Sequence, residues 1–260
     1  MIAFLALLLA LAQPQTSKGM PPIRVAVPSP APNANAVKLG GELYAVHCIS
    51  CHGAQLQGSP NGPPLIAVGA ANVDFQLSTG RMPLEVPGTE PTRGLPSFPR
   101  QQIDGLIAYI TTHGGNGEPI PAVHHSDDIT RGRVLYDQNC QQCHGATGYG
   151  AVTGYGWIAP PVTPATPVQV AEAVRVGPGI MPHFSEHQIP QRDLDALVSY
   201  VDSFHHPQDP GGFSMVSAGP VGEGLVGWLV GLGGAILVML AVGETLKRHV
   251  SSEAPPGPNR

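Results

Sequence analysis

All four cysteines of this 260-residue chain fall in two short runs, Cys48-Ile49-Ser50-Cys51-His52 and Cys140-Gln141-Gln142-Cys143-His144. Each run fits the pattern C-x-x-C-H. Two cysteines three apart can both reach the vinyl groups of one porphyrin and form thioethers, and the adjacent histidine then points back at the iron. The spacing implies two covalently bound haem c groups, one on Cys48 and Cys51 and one on Cys140 and Cys143. His52 and His144 are the proximal iron ligands. The rival readings are a structural zinc site, a redox C-x-x-C pair, or two disulfides in an exported chain. A four-cysteine zinc site has no need of a histidine directly after each pair.

A sixth ligand is offered by two further matched segments. Gly80-Arg81-Met82-Pro83 and Gly179-Ile180-Met181-Pro182 share the form Gly-x-Met-Pro. Proline after the methionine stiffens the loop and removes one backbone donor. Met82 and Met181 are therefore the candidate distal ligands; His183, two residues past Met181, is the alternative for the second iron. With methionine in the sixth position both irons are closed to substrate and pass single electrons. Neither a phosphate-binding glycine loop nor a pair of catalytic carboxylates is found, so no substrate site of the chain's own is expected. Arg81, Arg175, Tyr155 and Trp157 are candidate donors to haem propionates, since a buried carboxylate needs donors. The remaining histidines, among them His47, His113, His124 and His125, read as surface residues.

The elements that must position these groups come as an internal repeat. Gly40, Leu43, Tyr44, Cys48, Cys51 and His52 recur 92 residues on as Gly132, Leu135, Tyr136, Cys140, Cys143 and His144. Ile103, Asp104, Leu106 and Tyr109 recur 91 residues on as Leu194, Asp195, Leu197 and Tyr200, and Met82 recurs 99 residues on as Met181. Asp128 can cap a helix leading to Cys140, and Thr166-Pro167 reads as a cap and first-turn proline. Ile103, Leu106, Ile107 and Ile110 share one helical face, as do Leu194, Leu197, Val198 and Val201. The first of these helices is expected to stop at Gly114. Each module is expected to cross its first and last helices at the tyrosines, around one haem.

The ends of the chain have a different character. Residues 1–12 form a short apolar run ending in Ala10-Leu11-Ala12, which reads as a secretory signal or as an uncleaved anchor. A Pro/Ala-rich leader over 13–36 follows, then module 1 over 37–113, a linker over 114–126, module 2 over 127–206 and a linker over 207–223. Residues 224–243 carry no charge, and 20 apolar residues suffice to span a bilayer as a helix. Lys247 and Arg248 place the tail 244–260 on the cytoplasmic side and the modules on the extracytoplasmic side of the cell membrane. Gly227, Gly231 and Gly234 suit close approach of a partner helix. The formal charge of −5 excludes a phosphate-tracking surface, so no nucleic acid is expected as a partner.

Together these features specify a mainly α protein of two tandem modules and one C-terminal transmembrane helix, and each module resembles a class I cytochrome c domain. The whole chain resembles the dihaem cytochrome c subunit of the actinobacterial-type cytochrome bc complex, a menaquinol–cytochrome c reductase. The resemblance is carried by the two C-x-x-C-H modules, by Gly80-Arg81-Met82-Pro83-Leu84 with Pro87-Gly88 and Arg93, and by Gly219-Pro220-Val221-Gly222-Glu223-Gly224. It departs in the short N-terminal run, where the family commonly keeps a membrane helix. The resemblance implies that the first haem takes electrons from the Rieske iron–sulfur subunit, beside cytochrome b, and that the second passes them to a terminal haem-copper oxidase. Two other readings share the haem modules: an electron-transfer subunit of another periplasmic oxidoreductase, and a dihaem peroxidase.

Overall fold

The computed structural model describes residues 33–205 and 219–252, as two separate units. The signal-like segment 1–12, most of the leader and most of the 207–223 linker lie outside the described residues. The first unit contains α1 (Ala34–His47), α2 (Ile49–His52), α3 (Ala70–Ser78) and α4 (Arg100–Thr112). It continues with α5 (Ile129–Asn139), α6 (Gln141–His144), the strands β1 (Ala151–Val152) and β2 (Ile158–Ala159), α7 (Pro167–Val176) and α8 (Gln191–Asp202). The strands form an antiparallel hairpin with Ala151 opposite Ala159.

Local chemistry sets the helix ends. The Asn33 side chain accepts from the Ala36 amide, so α1 begins at Ala34, inside the stretch expected to be an extended leader. An asparagine ahead of helix formers is a strong N-cap. Asp128 caps α5 by accepting from the Arg131 amide at 3.0 Å. Thr166 and Gln169 form a reciprocal capping box on α7, with Pro167 in its first turn. Helix α4 ends at Thr112, two residues before Gly114, with His113 as its C-cap.

Each repeat builds its own core. The Tyr44 and Tyr109 rings lie 5.3 Å apart where α1 crosses α4, and those of Tyr136 and Tyr200 lie 5.6 Å apart where α5 crosses α8. The expected faces, Ile103, Leu106, Ile107 and Ile110 on α4 and Leu194, Leu197, Val198 and Val201 on α8, are all buried. The glycines repeated at the crossings have a steric reason. A Cβ on Gly40 would run into the Gly105 carbonyl and lie 2.7 Å from the Tyr109 Cβ; one on Gly132 would meet the Ala196 carbonyl and the Tyr200 Cβ. Backbone on the facing side cannot give way. Gly40→Ala is expected to lower the unfolding free energy by about 3 kcal/mol, checked by urea unfolding of the haem-loaded protein.

The segment 114–126, expected as a linker, is pinned at both ends. The Ala71 amide donates to the Glu118 carbonyl, and the Ser126 amide donates to Ser199 Oγ at 3.0 Å. Val123 is fully buried in the core of the second repeat. The repeats meet where α3 packs on α7. There Gln169 Nε2 donates to the Ser78 carbonyl and hydroxyl, at 3.2 and 3.1 Å. Arg93 donates to the Pro164 carbonyl at 2.7 Å and to Gln169 Oε1 at 2.9 Å.

Among the described residues the second unit is one helix, α9 (Gly219–Ser252). Its segment Gly224–Lys247 has a mean hydropathy of 2.4 over the most apolar stretch and exposes its large side chains. At 1.5 Å per residue its 24 residues reach about 36 Å, enough for a bilayer core. The helix continues past Gly243, the expected end of the span, because Glu244 to Lys247 are good helix formers.

Candidate haem sites

The C-x-x-C-H runs occupy equivalent corners of the two repeats. Cys48 closes α1, its amide donating to the Tyr44 carbonyl, and a single turn follows in which the Cys51 and His52 amides donate to the Cys48 carbonyl. The chain leaves through Gly53 at φ 77°. Cys140, Cys143, His144 and Gly145 at φ 74° repeat this course. One helical turn thus presents two thiols and an imidazole together. The corner is tied to the core by tyrosine hydroxyls: Tyr44 donates to the Gly53 carbonyl and Tyr136 to the Gly145 carbonyl, both at 2.8 Å.

The imidazoles are oriented by contacts that sequence reading did not find. His52 Nδ1 lies 2.8 Å from the Pro63 carbonyl, and His144 Nδ1 lies 2.9 Å from the Pro160 carbonyl. A carbonyl only accepts, so Nδ1 carries the hydrogen and Nε2 keeps its lone pair for a metal. A second hydrogen bond of this kind fixes the ring's tautomer and orientation. The available signal was the Pro-Pro pair Pro63-Pro64, which recurs as Pro160-Pro161.

The methionines meet the same cores. Met82 packs against the cluster of Tyr44, Leu77 and Leu106 that Cys48 also joins, and Met181 packs against the cluster of Tyr136, Cys140 and Val174. The Arg81 and Met82 amides both donate to the Gln76 carbonyl, turning the chain back at the end of α3. In the second repeat the Met181 amide donates to the Pro178 carbonyl. His183 is exposed, unlike Met181, which favours the methionine over it as a ligand.

All four cysteines are free thiols. Burial, reinforced by Cys51, pushes the Cys48 thiol up to about 11; burial, reinforced by Cys143, pushes Cys140 up to about 12. A redox C-x-x-C pair needs a lowered thiol pKa, and burial moves Cys48 and Cys140 the other way. The two pairs also belong to separate cores, which leaves no four-cysteine zinc site. Among the described residues no three His, Cys, Asp or Glu side chains gather as a metal-ion group.

A buried donor tests the fit to haem independently. Arg81 Nη1 is buried with no hydrogen-bond partner, and its guanidinium lies 4.7 Å over the Phe75 ring. Burial, and then Arg93, lowers its pKa. A half-buried cation with an unused buried donor calls for an anion, and a haem propionate beside Met82 would be one. Arg175, by contrast, donates to the Phe184 carbonyl at 3.0 Å, and Trp157 is exposed on the hairpin. The thiols, the free imidazole nitrogens, the inward methionines and Arg81 all suit the group.

Two such repeats in tandem define the class: the chain consists of cytochrome c domains, which imply covalently bound haem c, with an apolar C-terminal helix. Residues 37–114 match the family Cytochrome c, and residues 127–201 match Cytochrome C oxidase, cbb3-type, subunit III. The chain is 37% identical over 216 residues to the cytochrome bc1 complex cytochrome c subunit of Mycobacterium tuberculosis, covering 80% of this chain and 77% of that protein. It is 33% identical over 224 residues to the subunit of the same name from Corynebacterium diphtheriae, covering 79% of each. The chain belongs to the family of cytochrome bc1 complex cytochrome c subunits.

Proposed function

We propose that this protein is a membrane-anchored dihaem c-type cytochrome. It carries electrons from the Rieske centre of a quinol-oxidising cytochrome bc complex toward a terminal haem-copper oxidase. The observation that carries this reading is kinship with subunits named for the bc1 complex, extending across 80% of the chain. In module 1, over 37–113, Cys48 and Cys51 would hold the first haem and His52 and Met82 would ligate its iron. In module 2, over 127–206, Cys140, Cys143, His144 and Met181 do the same for the second. Bound haem supplies reversible one-electron chemistry at iron. The chain's part is to aim each histidine Nε2 with a proline carbonyl, to close the opposite side with a methionine, and to bury both against apolar walls.

The first module faces the Rieske subunit beside cytochrome b, and the second faces the oxidase. Segment Gly224–Lys247 anchors the chain, with Lys247 and Arg248 cytoplasmic and the haem modules outside. Residues 13–223 hold 16 acids against 10 bases, an acidic surface suited to steering onto a basic partner. Gentle purification from membranes tests the reading. Two low-spin c-type haems per chain, co-purifying with cytochrome b, a Rieske protein and an oxidase, are expected. Recovery with a dehydrogenase, or a high-spin haem that reacts with peroxide, would overturn it.

A further inference from the structure

Two acids are buried where the haem modules meet. Glu172 on α7 is 0% exposed and Asp74 on α3 is 3% exposed. Asp74 is held by α4: Arg100 Nη1 lies 2.6 Å from its Oδ1, and Arg100 also pairs with Asp104 at 2.6 Å. Helix α7 packs on α3 here, and neither of the buried Glu172 oxygens receives a hydrogen bond. Two carboxylates cannot satisfy one another, since each only accepts. A proton on one of them changes the contact from a repulsion into a short hydrogen bond. Arg100 already donates to Asp74 and nothing donates to Glu172, so the proton belongs to Glu172.

We propose that a single proton, held between Glu172 and Asp74, locks the two haem modules against each other. The Glu172 hydroxyl donates to the Asp74 carboxylate, which accepts from Arg100 on its other side. Loss of that proton leaves a fully buried anion facing a second one across the seam. The modules then loosen at α3 and α7, the helices that lead into the Met82 and Met181 loops. The two acids are positioning residues: they touch neither haem-attachment run and act by fixing one module on the other. The lock does not depend on which redox partners the haems serve.

The surroundings agree. Burial, and then Asp74, pushes Glu172 up to about 10, with Arg100 acting in the opposite direction. Asp104 stands behind Arg100, and α8 contributes apolar Leu194, Leu197 and Val198 to the core that Ala171 and Val174 of α7 share. The other polar contacts of the seam, made by Arg93, Gln169 and Ser78, need no titratable acid. A carboxyl raised in the folded state stabilises it fully below the ordinary carboxylate range. That contribution falls as pH rises through the window from about 4.5 to about 10.

The test uses the full-length, haem-loaded protein in detergent, unfolded with urea at pH 6 to 9 and followed by haem absorbance. In Glu172→Gln the amide N–H donates to Asp74 at every pH. The folding constant of the wild type is expected to fall relative to this variant by as much as about tenfold per pH unit, the slope for one linked proton. Ser78→Ala, which removes a seam hydrogen bond without an ionisable group, should weaken the protein equally at each pH. Hydrogen exchange, corrected for its intrinsic pH dependence, should show protection lost in α3 and α7 of the wild type at pH 9 and kept in Glu172→Gln. Parallel pH profiles for the wild type and Glu172→Gln would overturn the proposal. So would loss of protection confined to helices away from the seam.

Discussion

The double variant Cys140→Ala/Cys143→Ala is expected to carry one covalent haem per chain where the wild type is expected to carry two. Denaturing gels stained for haem peroxidase activity, with intact-mass measurement, would read this directly as a loss of one haem mass. The reason is the separation of the two sites. Each C-x-x-C-H turn hangs from its own helix crossing, and Cys48 and Cys140 line different apolar clusters. Attachment at Cys48 and Cys51 therefore proceeds without the second site. A haem held in module 2 only by His144 and Met181 would be released on denaturation. The second repeat would also lose the group that its core is built around, so its unfolding midpoint should drop well below that of the first. Two haems retained on the variant would refute covalent attachment at Cys140 and Cys143; none retained would show that the sites load together.

Met82→His should lower the midpoint potential of one haem, leaving the other close to its original value. Methionine opposite histidine raises the potential, and axial ligands span roughly 0.8 V across haem proteins. A drop on the order of 0.1 V or more is expected, with retention of a low-spin spectrum. The loop is built to present residue 82 inward, since the Arg81 and Met82 amides share the Gln76 carbonyl and the side chain packs among core residues. Met181→His should shift the other haem in the same direction. Were His183 the true ligand of the second iron, changing Met181 would leave that potential unmoved, and potentiometric titration separates the two cases. Neither variant alters Arg81, so the buried charge beside the first site stays constant across the comparison.

Much of this was legible in the residue order because it is local. C-x-x-C-H needs only one helical turn to bring its thiols and imidazole together. The caps Asp128 and Thr166 act within three residues. The apolar faces of α4 and α8 follow from helical period alone, and the recurring Gly40 and Gly132 mark crossings whose purpose became visible as steric contacts with backbone. Helix α1 begins inside the leader for an equally local reason: Asn33 is a cap ahead of helix formers. The segment 114–126 is a different case, because its composition says nothing about whether distant partners such as Ser199 and Gln191 will satisfy its backbone.

By itself the amino-acid order determined the cofactor class, and it offered a count of two and candidate ligand residues, since each rests on chemistry between residues a few positions apart or on a repeat. Only the tertiary structure decided which nitrogen of each histidine is free, because the orienting carbonyls of Pro63 and Pro160 stand 11 and 16 residues away on loops without a regular period. It alone chose Arg81 over Arg175 as the unfilled buried donor. It alone brought Glu172 to Asp74, from opposite repeats. Burial and hydrogen-bond satisfaction are properties of the packed whole, and no spacing along the chain encodes them.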